Sequence, residues 1–168
     1  MSSESDAAGR HPDETSSVLT YRTAVQDANV AGNVHGGWIM KLCDDVAVIA
    51  ATRLARRRVV TATVDSLRFL SSVQVGDVLT LRATVNASWH TSMEVGVQVQ
   101  AEDVSNGRVI HVCTAYLTLV ALGEDGRPTA VPQLAPITGE EKRRCEAANT
   151  RRAIRLAAAD ELRRDRGQ

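Results

Sequence analysis

Residues 31–45 read AGNVHGGWIMKLCDD. They gather an amide at Asn33, an imidazole at His35, a glycine pair at Gly36 and Gly37, and two adjacent carboxylates, Asp44 and Asp45. No serine lies in a G-x-S-x-G elbow, so the economical chemistry is a carboxylate acting as general base on water. Helical spacing separates the two carboxylates. Asp45 follows Lys41 by four residues, the arrangement of a solvated ion pair. Asp44 falls among Met40, Ala47, Val48 and Ala51 with no local cation, and an apolar surround disfavours the charged form of a carboxylate and favours proton uptake. Asp44 is therefore the candidate base.

Gly36 and Gly37 come where that helix begins, so their N–H groups lack intrahelical acceptors and share the positive end of the helix dipole. Without side chains they let a carbonyl approach, and one preorganised donor to an oxyanion is worth about 3 kcal/mol of barrier. Asn33 either orients the attacking water or donates to the same oxygen. Taken alone, a glycine pair before a helix is most often a plain turn, and Asn33 is equally at home as a turn residue. His35 has no second histidine at ligand spacing, which favours a structural hydrogen-bonding role over a metal site. Cys43 belongs to the apolar face as packing, and Trp38 to a core or an interface.

The elements that must position these groups follow from periodicity. Residues 16–25 suit an edge strand, and 26–33 are turn-rich. A helix is expected over 38–53, with Ile39, Leu42, Cys43, Val46, Ile49 and Ala50 on one apolar face. Four strands are expected over 59–70, 78–89, 92–104 and 108–122. The third alternates Met93, Val95, Val97, Val99 and Ala101 with Glu94, Gln98, Gln100 and Glu102, which predicts one wet face; the fourth is apolar on both faces and should be central. Their connections are too short for parallel crossovers, so they pair antiparallel. After a Pro-containing linker at 131–139, Thr138 and Glu141 form a capping box that opens a second helix. That helix has nine basic and six acidic residues to the end of the chain and only a thin apolar stripe, so it lies on a surface, its own or a neighbouring subunit's. The plan is α+β: a long central helix wrapped by a curved antiparallel sheet, plus a C-terminal helix.

Composition bounds the partners. The 168 residues fit one domain (16–130) between a disordered tail (1–15) and the linker with its basic helix (131–168). Twenty basic residues balance twenty acidic ones, which argues against nucleic acid as partner. Three cysteines in no paired pattern suit a reducing cytoplasm, and no stretch has the length or apolarity of a signal peptide or membrane span. No metal or other cofactor is expected.

The block DANVAGNVHGGWIMKLCDD (27–45), with VVTATVDSLRF, VGDVLTL, SMEV and DGRPTAVPQLAPITGEEKRR behind it, resembles the cytosolic acyl-coenzyme A thioesterases of the hotdog-fold superfamily. The resemblance covers about 16–145. It implies hydrolysis of fatty acyl-CoA, a subunit that dimerises and commonly assembles as a trimer of dimers, and a catalytic Asn and Asp supplied by two subunits, carried onto Asn33 and Asp44. Asp45 and the C-terminal helix depart from the family pattern. The phosphates of coenzyme A call for cations, and Arg56, Arg57 and Arg58 form the densest cluster outside the tail; Thr91 and Ser92 fall where relatives place small polar residues near the coenzyme. Two other readings compete with this one. A hydroxyacyl dehydratase or hydratase needs a His pattern that does not follow His35. A non-catalytic acyl-CoA sensor would ordinarily bring a DNA-binding segment, for which the leader has no room.

Overall fold

The structure is a computed structural model and describes residues 9–165. Strand β1 (Ser17–Arg22) leads through a loop to helix α1 (Gly36–Ala55), followed by β2 (Arg58–Phe69), β3 (Val78–Ser88), β4 (Ser92–Asp103), β5 (Arg108–Leu122) and helix α2 (Gly139–Asp165). The five strands form one antiparallel sheet in the order β1-β3-β4-β5-β2. Edge strand β1 and interior β5 stand as their patterns predict, and β2 is the other edge.

Alternation builds the core. Leu79, Leu81, Ala83 and Val85 from β3, the apolar set of β4, and Ala115, Leu117, Leu119 and Ala121 from β5 pack one sheet face against Leu42, Val46, Ala50 and Leu54 of α1. Small residues at Ala47, Ala50 and Ala51 are fully covered, which lets helix and sheet approach closely. Leu54 is 0% exposed, and truncating such a side chain to Ala costs about 2–5 kcal/mol.

Four expectations change. Helix α1 starts at Gly36, two residues before Trp38, because His35 caps it: the imidazole Nδ1 accepts the Gly37 N–H at 2.9 Å. Ile49, assigned to the apolar face, is 43% exposed, since the face centres on Ala47 and Ala51. Residues 9–15, assigned to a disordered tail, are structured. There Pro12–Thr15 forms a 3-10 turn, and the buried Thr15 hydroxyl accepts the Val85 N–H at 3.0 Å. Residues 1–8 lie outside the described residues.

The fourth change concerns Glu94. The alternation assigned it to a wet face, yet it is 0% exposed. Helix α2 covers that face of its own sheet. Arg151 reaches the Glu94 carboxylate with Nε at 3.0 Å and Nη2 at 2.6 Å and stacks 3.7 Å above the Tyr116 ring, while Arg155 reaches Asp65 at 2.6 Å. The start of α2 is fixed by the anticipated capping box: Glu141 accepts the Thr138 N–H at 2.8 Å, and the Thr138 hydroxyl accepts that of Glu141 at 3.2 Å.

Candidate active site

The loop before α1 is held by a buried carboxylate. Asp27 accepts the Tyr21 hydroxyl at 2.9 Å and the Ala24 N–H at 2.8 Å, and its carbonyl accepts the His35 N–H at 2.7 Å. The Asp27 carboxylate in turn holds the Tyr21 phenol above its ordinary range. The loop tip closes on Asn29, whose Oδ1 accepts the N–H of Ala31 at 2.9 Å and of Asn33 at 3.3 Å, with Gly32 supplying the positive φ of 83° that the turn requires. Asn33 is anchored beside it, its Oδ1 accepting Gln74 Nε2 at 2.8 Å.

The glycine pair divides. The Gly37 N–H is spent on the His35 cap, whereas the Gly36 N–H has no acceptor among the described residues. A Cβ at Gly36 would lie 3.2 Å from the Phe69 ring, so a close approach of strand end and helix start accounts for glycine there. Asn29, Asn33, Gly36, Ile39, Phe69 and Leu70 line a cleft of about 400 Å³ at this end of the helix.

Two turns along α1, Asp44 is half-buried and accepts the Thr61 hydroxyl of β2 at 2.5 Å. Thr61 escaped the sequence reading because its contact with Asp44 is made between a helix and a strand. The only local sign was the polar residue itself in the early part of the strand. Strand β2 is irregular just beyond it, with register shifts at Thr61/Thr63 and Val64/Ser66, as often found where a strand re-aims a side chain. Asp45 pairs with Lys41 at 2.6 Å in solvent, as its spacing predicts. Gly36 and Asp44 are eight residues apart, about 12 Å along the helix axis. The free amide and the half-buried carboxylate of one chain therefore cannot meet on a single carbonyl.

At the far end of α1 lies a cleft of about 660 Å³, lined by Arg10, Arg56, Arg57 and residues 129–133. The His90 carbonyl accepts the Val131 N–H at 3.0 Å, so the turn carrying Thr91 and Ser92 abuts this segment. Arg58 opens β2 opposite Leu122 and is not part of that lining. His11, Asp13 and Glu141 bring ligand atoms within 4.8 Å of one another, the one such metal-type cluster among the described residues. Hydrogen bonding accounts for it: His11 Nδ1 accepts the Asp13 N–H, and Nε2 stands 3.3 Å from Glu141 Oε1, clamping the N-terminal segment to α2.

The sequence model of the thioesterase superfamily matches residues 31–107. The acyl-CoA thioester hydrolase YkhA of Bacillus subtilis, described as uncharacterized, is 38% identical over 128 residues, 76% of this chain and 74% of YkhA. The acyl-CoA hydrolase of Staphylococcus aureus, solved with butyryl coenzyme A, coenzyme A and coenzyme A disulfide, superposes with a TM-score of 0.85 at 33% identity, covering 93% of this chain and 95% of that one. It has also been solved as alanine variants of an asparagine, of an aspartate fifteen residues further on, and of a threonine seventeen beyond that. A hexameric acyl-CoA thioesterase superposes with a TM-score of 0.86 at 36% identity, covering 89% of this chain and 96% of that one. The chain belongs to the thioesterase superfamily, among its hotdog-fold acyl-CoA hydrolases.

Proposed function

We propose that the protein hydrolyses acyl-CoA to a free acid and coenzyme A in sites shared between two subunits. The observation that carries this is the split of the machinery within one chain: a half-buried Asp44 with a neutral hydroxyl partner, and, about 12 Å away along the same helix, an unpaired amide at Gly36 beside asparagines. Asp44 of one subunit removes a proton from water, and the resulting hydroxide adds to the thioester carbonyl. The oxyanion is stabilised by the Gly36 N–H of the other subunit. Collapse breaks the C–S bond, and the proton passes to the departing thiolate. Thr61 holds the Asp44 carboxylate in place by donating to it.

The sequence pointed to Asn33 as the amide partner; we propose Asn29. Asn29 precedes Asp44 by fifteen residues and Thr61 follows by seventeen, the spacing of the three residues replaced in the S. aureus enzyme. The Asn33 oxygen is engaged with Gln74, which suits a residue that shapes the loop. Coenzyme A phosphates would sit in the arginine-lined cleft with Arg10, Arg56 and Arg57. Arg56 is twelve residues from Asp44, about 18 Å along α1, a span that the extended pantetheine arm bridges. Dimerisation would close the open flank formed by Met40, Asp44 and Val48 and the β2 edge, where Met40 is 44% and Val64 45% exposed. Three such dimers would make up the six subunits that the hexameric relative has.

The test is release of free thiol from acetyl-, butyryl- and palmitoyl-CoA. Asp44→Asn should lower kcat by about 100- to 10,000-fold with its fold intact, while Asp45→Asn stays within about three-fold. A parent enzyme that binds these thioesters without turnover, or equal losses at the two aspartates, would overturn the proposal.

A further inference from the structure

Strand β2 carries Thr61 near its start and ends at Phe69, the only phenylalanine in the chain. Its ring lies against the first residue of α1, 3.2 Å from where a Gly36 Cβ would be, and is still 42% exposed. Leu70 is 61% exposed, although its backbone is fixed by a 2.8 Å bond from its N–H to the Val112 carbonyl. With the buried Val34, Ile39 and Val73 beneath them, these side chains give the cleft at Gly36 an apolar wall and floor, while Asn29, Asn33, Ser71 and Ser72 line its polar side.

No residue lining this cleft carries a charge, in contrast to the three arginines at the other end of α1. Phosphates find no counter-charge here, and the two amides of a pantetheine arm would face hydrocarbon along its wall. An alkyl chain whose carbonyl rests at the Gly36 N–H matches the wall formed by Phe69 and Leu70, and leaves the polar side to the thioester end. We infer that Phe69, together with Leu70, determines acyl-chain-length preference by covering the first methylenes beyond the thioester. This rests on the hydrolase reading above. Each methylene drawn from water against such a wall strengthens binding by up to about four-fold.

The experiment is kcat/KM for acetyl-, butyryl-, hexanoyl- and octanoyl-CoA in the parent, Phe69→Ala, Phe69→Leu and Leu70→Ser enzymes, with oligomeric state measured for each. The octanoyl-to-acetyl ratio should fall about ten-fold in Phe69→Ala, stay within about two-fold of the parent in Phe69→Leu, and fall about three-fold in Leu70→Ser. Should Phe69→Ala not fold, Leu70→Ser decides alone, because its side chain is exposed and its backbone bond survives the change. Four rates lowered by one common factor would place the ring against pantetheine or the helix start and overturn the inference. So would a ratio that is unchanged or raised, or an altered assembly with an unchanged ratio. Absence of turnover in the parent enzyme would instead sink the hydrolase reading, so the two failures are told apart.

Discussion

Removing Arg151 should destabilise the protein more than its place on a surface helix implies. Glu94 is 0% exposed and keeps two guanidinium bonds, at 3.0 and 2.6 Å, and one from Asn86 Nδ2 at 3.1 Å. In Arg151→Met the carboxylate is left with the amide alone. Breaking a buried ion pair from one side costs about 3–5 kcal/mol, and the lower end applies because the Arg151 side chain is itself 25% exposed. For a chain of this size about 3 kcal/mol lowers Tm by about 6–12 °C. The assay is thermal and urea unfolding at one fixed protein concentration, since assembly contributes to apparent stability. Adding Glu94→Gln to Arg151→Met should recover more than half of the loss, because no unpaired charge remains. Arg163→Ala, which removes a 3.7 Å pair with Asp160 from a side chain 73% exposed, should stay within about 0.5 kcal/mol. A loss under about 1 kcal/mol for Arg151→Met, or a double variant no better than the single, would refute the claim that α2 is clamped through Glu94.

Further outcomes follow from the same contacts. The Thr138 and Ile137 backbone N–H groups, with His11 nearby, hold the Glu141 carboxyl below its ordinary range. Its stabilising effect is therefore complete above the unfolded-state value and is lost as pH falls through the lower folded value. Glu141→Gln should flatten that acid limb of Tm against pH, and an unchanged limb would contradict the assignment. Donation of its hydrogen bond to Cys113, and then burial, push the Cys43 thiol up, and burial also raises Cys145. A thiol reagent should modify Cys145 alone, and slowly, in the native protein, and all three cysteines once it is unfolded; fast native labelling of Cys43 would show an open core. Hydrolysis should persist after chelation, since the partner of Asp44 is the Thr61 hydroxyl; loss restored by a defined ion would contradict the water-and-carboxylate chemistry.

Features built from neighbours in the chain were legible in the sequence. The Lys41–Asp45 pair, the Thr138–Glu141 box and the buried set of β4 each follow from spacing within one element. Features made between elements were not. Thr61 meets Asp44 only when β2 crosses α1, and Glu94 is buried only because α2 folds back over its own sheet. The apolar pattern of α1 reads only from Trp38, while the His35 cap that makes Gly36 and Gly37 the first helical residues lies outside that pattern, and the Phe69 ring that packs on Gly36 comes from another element. Residues 9–15 looked polar enough for disorder, and the burial of Thr15 depends on a backbone group seventy residues away, at Val85.

The two-subunit site is tested most directly by mixing two inactive chains. In an Asn29→Ala chain co-assembled in equal amounts with an Asp44→Asn chain, half of randomly formed dimers are mixed, and each mixed dimer holds one site with both parental residues. Thiol release should then recover to about a quarter of the parental rate, a level neither variant reaches alone. Mixing that restores nothing, while native mass spectrometry shows mixed dimers present, would mean that the amide and the carboxylate do not act across subunits and would contradict the account.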